Sequence, residues 1–105
     1  MDTRSTLLDI TRENGTFKLA GEIDMSNAAE FSRKVAEGVT DGNRVVFDCT
    51  DLRFIDSTGM AALVEISRSL GASGRLVIRS APHSLRKAVR VLGLDRLPNV
   101  EIDAG

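Results

Sequence analysis

The segment from residue 44 to residue 59 constrains the fold of this chain more than any other part of the sequence. It begins with the apolar run Val45-Val46-Phe47, continues through a polar stretch, and ends at the hydroxyl pair Ser57-Thr58, after which apolar residues recur at helical spacing. A buried strand that leads through a loop into an amphipathic helix is the building unit of α/β proteins. We therefore predict a strand from Val45 to Phe47, a polar loop, and a helix from Gly59 or Met60 to Leu70.

The rest of the sequence repeats this alternation of strand and helix. Alternating apolar residues on both sides of the turn signal Asn14-Gly15 predict an antiparallel hairpin, and further short strands are predicted at 76–78 and after Pro98. Helical spacing predicts three helices whose inward residues are Ala28, Phe31, Val35 and Val39 in the first, Ala62, Leu63, Ile66 and Leu70 in the second, and Leu85, Ala88, Val89 and Leu92 in the third.

The predicted helix ends carry recognisable signals. Ser26 or Asn27 can cap the first helix, with Glu30 completing a capping box, and Asp41-Gly42-Asn43 would stop it. Gly93 is a natural end for the third helix. Helices that join consecutive strands require those strands to be parallel. The prediction is one α/β domain over residues 1–105, with a mixed β-sheet, an antiparallel N-terminal hairpin, alternating βα units and helices packed on the sheet.

Composition excludes several classes of partner. The net charge of −1 provides no field that would gather nucleic acid or an anionic membrane, and no apolar run is long enough for a membrane span. A basic cluster in the region of the third helix lacks the Trp or Tyr stacking platform of single-strand binders and is interpreted as a solvated helix face: Arg86, Lys87, Arg90 and Arg96. With a single cysteine, Cys49, and no signal-peptide core, the expected location is the cytoplasm.

Ser57 is the candidate functional residue. It stands where the second helix begins, and the unpaired N–H groups and dipole of a helix N-terminus favour negative charge, so Ser57 is well placed to accept a phosphate. The alternative is that Asp56, Ser57 or Thr58 simply caps the helix. Asp24 follows the second strand as Asp56 follows the third, and parallel strands end at one edge of a sheet. We expect Asp24 to lie near Ser57 and help orient its hydroxyl, the alternative being a turn or cap residue.

The sequence gives little support for a catalytic site or a metal site. Ser57 lacks a Gly-x-Ser-x-Gly elbow, and the one histidine, His83, lies beside Pro82 at the start of another helix. One His and one Cys cannot form a zinc site, and no cofactor motif is present. The remaining acidic candidates, Asp48, Asp51 and Asp56, are interpreted as turn and cap residues, and Cys49 as a small core residue.

Four ordered segments of the sequence resemble one known family. Val45-Val46-Phe47-Asp48 followed by Ile55-Asp56-Ser57-Thr58-Gly59 is similar to the signature of the STAS domain, the fold of bacterial anti-sigma factor antagonists. The other matches are Gly21-Glu22-Ile23-Asp24 after the second strand, Gly74-Arg75-Leu76 before the fourth, and Pro82, Val89 and Leu92-Gly93-Leu94 around the third helix. The order and spacing agree over nearly the whole chain.

The resemblance implies a regulatory protein and not an enzyme. The unmodified form would bind an anti-sigma factor that is also a serine kinase and so release a sigma factor. Phosphorylation of Ser57 would end binding, and a serine phosphatase would reverse it. Asp24, Asp56, Thr58, Gly59 and Met60 would form the partner-binding and phosphosite environment. The protein would be a monomer or a weak dimer.

Two other functions stay open at this point. One is a STAS scaffold or regulatory subunit that binds a transport ATPase complex without being phosphorylated, and the other is a nucleotide-sensing module. Many family members also carry a helix after the last strand, whereas this sequence stops at Gly105, soon after Ile102. The resemblance therefore leaves open whether one face of the sheet is covered, or whether a dimer or partner covers it.

Overall fold

The computed structural model describes residues 7–38 and 44–103, and the predicted α/β class, hairpin and βα alternation are confirmed there. Val39 and the helix stop predicted at Asp41-Gly42-Asn43 lie outside the described residues. Strands and helices follow in the order β1 (Leu8–Glu13), β2 (Thr16–Ile23), α1 (Ala28–Gly38), β3 (Arg44–Ile55), α2 (Ser57–Ser69), β4 (Arg75–Arg79), α3 (His83–Val91) and β5 (Val100–Asp103), with a 3-10 turn at Leu94–Arg96.

The strands lie in the sheet in the same order as in the chain, β1-β2-β3-β4-β5. β1 and β2 are antiparallel and the other neighbours are parallel. Asn14 and Gly15 form the hairpin turn, with φ angles of 50° and 82° that a type I′ turn requires. Because neighbouring parallel strands are joined by right-handed crossovers, all three helices are expected on one face of the sheet.

The core lies between that face and the helices. Phe47 is its centre, with ring centroids 5.9 Å from Phe17 and 5.4 Å from Phe31. The inward residues predicted for α2 are all buried. Leu92 is not inward as predicted, because α3 ends at Val91 and Leu92, its C-cap, is 60% exposed.

On the opposite face of the sheet, the side chains of β4 and β5 shield an apolar residue. Val77 lies on this face and is only 1% exposed. Ion pairs between β4 and β5 flank it: Arg75 to Glu101 at 3.1 Å and Arg79 to Asp103 at 3.7 Å. Their long side chains shield the apolar residue between them, as long charged side chains commonly do.

The third strand is far longer than predicted. The sequence suggests a strand that ends at Phe47 and a loop after it, but β3 runs on to Ile55 and pairs with β2 along the added length. The register between β2 and β3 first shifts just after Asp48. There the Asp48 carboxylate accepts hydrogen bonds from the Thr50 N–H (3.1 Å) and hydroxyl (2.6 Å), which accommodate the shift. Asp48 and Asp51 are therefore strand residues and not the turn residues predicted.

Buried side chains anchor this extension from the helix side. Leu52 is 3% exposed and Cys49 is 2% exposed, so both belong to the core. Burial raises the pKa of the Cys49 thiol to about 12, which keeps it protonated at neutral pH. The prediction that Cys49 is a core residue is confirmed.

In the described part of the chain, no helix combines the length and apolar character needed to cross a membrane.

Candidate functional site

The ends of β2 and β3 lie side by side and bring the predicted site residues to one edge. Ile23 pairs with Ile55, and the Asp56 N–H donates to the Ile23 carbonyl at 3.1 Å. Asp24 and Asp56 are the residues that follow these two strands, so the structure places both of them at this edge. We call the surface formed by residues 24–26 and 54–58 the switch edge.

Asp56, and not Ser57, caps helix α2. Its side-chain Oδ1 accepts a hydrogen bond from the Gly59 N–H at 2.9 Å, and its backbone carbonyl accepts from the Met60 N–H at 2.9 Å. Ser57 and Thr58 are the first two helical residues, and both are exposed. The capping function is thus met by a neighbour, which leaves the Ser57 hydroxyl accessible to an incoming enzyme.

Gly59 and Met60 lie behind this surface and not on it. Both are buried, and a Cβ atom at Gly59 would meet Ile55 Cγ1 at 2.6 Å and Ile23 Cγ2 at 2.8 Å. The absence of a side chain lets the first turn of α2 sit directly on the ends of β2 and β3. As buried residues, Gly59 and Met60 belong to the environment that supports Ser57 from beneath the surface.

The loop after β2 is held by its own hydrogen bonds. Asp24 Oδ1 accepts from the Ser26 hydroxyl at 2.6 Å and the Ser26 N–H at 2.9 Å, and these bonds lower the pKa of Asp24. The carboxylate is therefore ionised at neutral pH. Asp24 and Ser57 share the edge, but among the described residues Asp24 accepts its side-chain hydrogen bonds from Ser26 and the Ser57 hydroxyl donates none to it, so the expected orientation of that hydroxyl by Asp24 is not observed.

Asn27 is buried and fixes this loop from beneath. Its Oδ1 accepts from the Asp24 N–H and its Nδ2 donates to the Glu22 carbonyl, both at 3.0 Å. The predicted capping box with Glu30 is wrong, because the Asn27 side chain turns back toward β2 and satisfies the strand end. The Asp24 backbone is therefore fixed at its N–H by the Asn27 side chain and at its carbonyl by the Asn27 N–H.

Two exposed apolar side chains flank the acidic groups, and sequence reasoning missed both. Met25 is 80% exposed and Phe54 is 52% exposed. Exposed aromatic and Met side chains are enriched at protein interfaces. The signal for Phe54 was an aromatic residue in a segment where apolar and charged residues are mixed. It was passed over because that segment was predicted to be a loop.

The start of helix α2 offers unpaired hydrogen-bond donors to a negative charge added at the switch edge. The N–H groups of Ser57 and Thr58 begin the helix without an acceptor among the described residues, so a phosphate on the Ser57 hydroxyl would meet donors and the positive end of the helix dipole. Asp24 and Asp56 add negative charge nearby. Phosphorylation would make the surface strongly anionic while the fold tolerates it.

We expect Ser57→Ala to leave stability nearly unchanged, with a loss below about 1 kcal/mol, because Asp56 supplies the cap. Asp56→Ala should cost more, about 1 to 2 kcal/mol, since it leaves the Gly59 N–H without its acceptor. Urea unfolding of the two variants measures the difference. A larger loss for Ser57→Ala than for Asp56→Ala would mean that Ser57 is the structural cap.

Comparisons with known proteins agree with this architecture. A family model described as "Mlab, STAS domain" matches residues 6–100. The anti-sigma-F factor antagonist RsfB of Mycobacterium tuberculosis is 26% identical over 95 residues, which cover 88% of this chain and 78% of RsfB.

Solved structures share the fold. An anti-sigma factor antagonist from Mycobacterium paratuberculosis superposes with a TM-score of 0.73 at 22% identity, over 90% of this chain and 83% of that one. The Bacillus cell fate determinant SpoIIAA in its phosphorylated form gives a TM-score of 0.65 at 21% identity, over 90% of this chain and 89% of that one. With a family match over nearly the whole length and the hairpin and βα units in place, the chain belongs to the STAS domain family.

Proposed function

We propose that this protein is an anti-sigma factor antagonist whose activity is switched at Ser57. In the unmodified state it binds an anti-sigma factor that is also a serine kinase, and a sigma factor is released. Phosphorylation of Ser57 ends the interaction, and a serine phosphatase restores it. The relatives named as anti-sigma factor antagonists, and the phosphorylated form of SpoIIAA, support the proposal.

The observation that carries the proposal is the exposed Ser57 at the first position of a helix already capped by Asp56. A serine that is not needed as the cap, and whose hydroxyl faces solvent, can be modified without loss of a structural hydrogen bond. Phosphate adds roughly −1.5 to −2 charges at pH 7, which is a large change for a surface that carries Asp24 and Asp56.

Phosphate transfer to wild-type protein, Ser57→Ala and Thr58→Ala tests the assignment. After incubation with ATP and the anti-sigma kinase of the source organism, mass spectrometry should find one phosphate on the wild type and on Thr58→Ala, and none on Ser57→Ala. Thr58 is the matched control because it is also exposed and lies one residue further into α2. Phosphate mainly on Thr58, or full modification of Ser57→Ala, would contradict the assignment.

A second candidate is a scaffold or regulatory subunit of a transport ATPase complex that works without phosphorylation. Exposed Met25 and Phe54 favour it, because apolar contacts at the switch edge would hold a partner without any change of charge. The kinase experiment separates the two candidates. A scaffold would not be phosphorylated by the anti-sigma kinase. Its Ser57→Asp variant would bind the transport ATPase as tightly as the wild type does.

A further inference from the structure

Helix α3 carries a row of basic side chains that lack acidic partners in the described residues. Arg86, Lys87 and Arg90 are all exposed and make none of the ion pairs found there. The sequence of α3 contains no Asp or Glu. We call these three residues the basic strip.

On the other two helices, basic residues form ion pairs with acidic residues of the same helix. Arg33 on α1 pairs with Glu37 at 3.0 Å, Lys34 with Glu30 at 3.9 Å, and Arg68 on α2 with Glu65 at 3.8 Å. Exposed pairs of this kind contribute little stability, but they neutralise the local field. The basic strip is therefore a concentrated positive surface on a chain whose net charge is −1.

The geometry of α3 makes the strip continuous. Arg86 and Arg90 are one turn apart, as are Lys87 and Arg90, so their side chains are neighbours on the helix surface. The opposite side of the helix packs into the core, where Leu85 is 2% exposed and Val89 is 1% exposed. An amphipathic insertion into a lipid surface would need that apolar side, so α3 does not fit such a function.

The helix that carries the strip begins at the same edge of the sheet as the helix that begins with Ser57. α3 follows β4 as α2 follows β3, and because β3 and β4 are parallel, both helices begin at the same edge of the sheet. Val91, directly after Arg90, is 73% exposed. An apolar side chain beside arginines is the composition that favours a protein interface.

We propose that the basic strip binds an acidic surface of the anti-sigma factor. The inference rests on the proposed function, and it names the chemistry of the partner. An acidic surface is attracted by Arg86, Lys87 and Arg90, and the same surface is repelled by a phosphate on Ser57. In the unmodified state, attraction by the strip would offset the repulsion of such a surface by Asp24 and Asp56, and a phosphate on Ser57 would add to that repulsion.

The test compares two triple variants that lose the same three charges. Arg86→Gln/Lys87→Gln/Arg90→Gln removes the strip, and Arg33→Gln/Lys34→Gln/Arg68→Gln is the control on α1 and α2. Calorimetric titration of each with the purified anti-sigma factor of the source organism, over a salt series, gives the affinities. We expect the strip variant to bind about tenfold more weakly at low salt and with a flatter salt dependence, as loss of interfacial charge attraction predicts, and the control to stay within about twofold of wild type.

Equal affinities of the strip variant and the control would overturn the inference. The proposed function would then still stand if Ser57→Asp weakened binding in the same titrations. If the wild type did not bind the anti-sigma factor at all, both would fail. The inference would also fail if the strip were needed for binding to duplex DNA or to phosphatidylglycerol vesicles while anti-sigma factor affinity was unchanged.

Discussion

Ala62→Asp is expected to unfold the domain, whereas Ala61→Asp should leave it folded. Ala62 faces the core at 8% exposure, and its neighbour Ala61 faces solvent on the same helix. A buried carboxylate without a partner costs at least about 4 kcal/mol, which is comparable to the whole stability of a small domain. At the exposed position the same side chain lies near the N-terminal end of α2, where the helix dipole favours negative charge.

Urea denaturation followed by circular dichroism measures both variants under one set of conditions. The adjacent positions receive the same substitution, so differences in helix propensity and net charge cancel. A stable Ala62→Asp protein whose denaturation midpoint equals that of Ala61→Asp would mean that α2 does not present this face to the sheet. The placement of Ser57 at the exposed start of the helix would then fail as well.

Regular periodicity is the part of the sequence that predicts this fold well. Ala62, Leu63, Ile66 and Leu70 follow helical spacing without interruption, and Asn14-Gly15 specifies its turn through backbone angles that few residue pairs adopt. Both features are local. They can be recognised without any knowledge of what packs against them.

The length of β3 could not be recognised in this way, because its second half depends on a distant strand. Thr50, Asp51 and Arg53 are exposed polar residues that favour a loop when considered alone. Pairing with β2 supplies their ladder partners, and the bonds from Thr50 to Asp48 accommodate the irregular register. Tertiary pairing overrides local propensity at this point.

The error in β3 carried over to the candidate site. Once residues 50–55 are assigned to a loop, Phe54 has no defined direction and its exposure at the switch edge goes unnoticed. The helix α2 begins at Ser57, two to three residues before the predicted start at Gly59 or Met60. Asp56 and Ser57 were identified because the preference of Asp and Ser for helix starts is local.

Ser57→Asp should weaken binding of the anti-sigma factor by about tenfold, and phosphorylation by about 100-fold or more, because like charges facing each other across an interface cost up to several kcal/mol. Aspartate adds only one of the charges that phosphate brings. Exposed charges are screened beyond about 8 Å at physiological ionic strength, so the ratio between the affinities of wild type and Ser57→Asp should shrink as salt is added.

Ser57→Asn is the matched control for this variant. It has nearly the size of Asp and no charge, so it should bind within about threefold of wild type at every salt concentration if the effect is electrostatic. Equal weakening by Asn and Asp would instead indicate that the partner fits closely over the serine and excludes any larger side chain. Circular dichroism spectra of the three proteins check that the fold is unchanged.

Calorimetric titration of the anti-sigma factor with unmodified protein and with protein phosphorylated on Ser57 tests the central claim most directly. The account predicts a saturable heat signal for the unmodified form and a signal too weak to fit for the phosphorylated form under the same conditions, with binding restored after phosphatase treatment. Equal affinities of the two forms would contradict it. Such a result would show that Ser57 is not a switch for this partner.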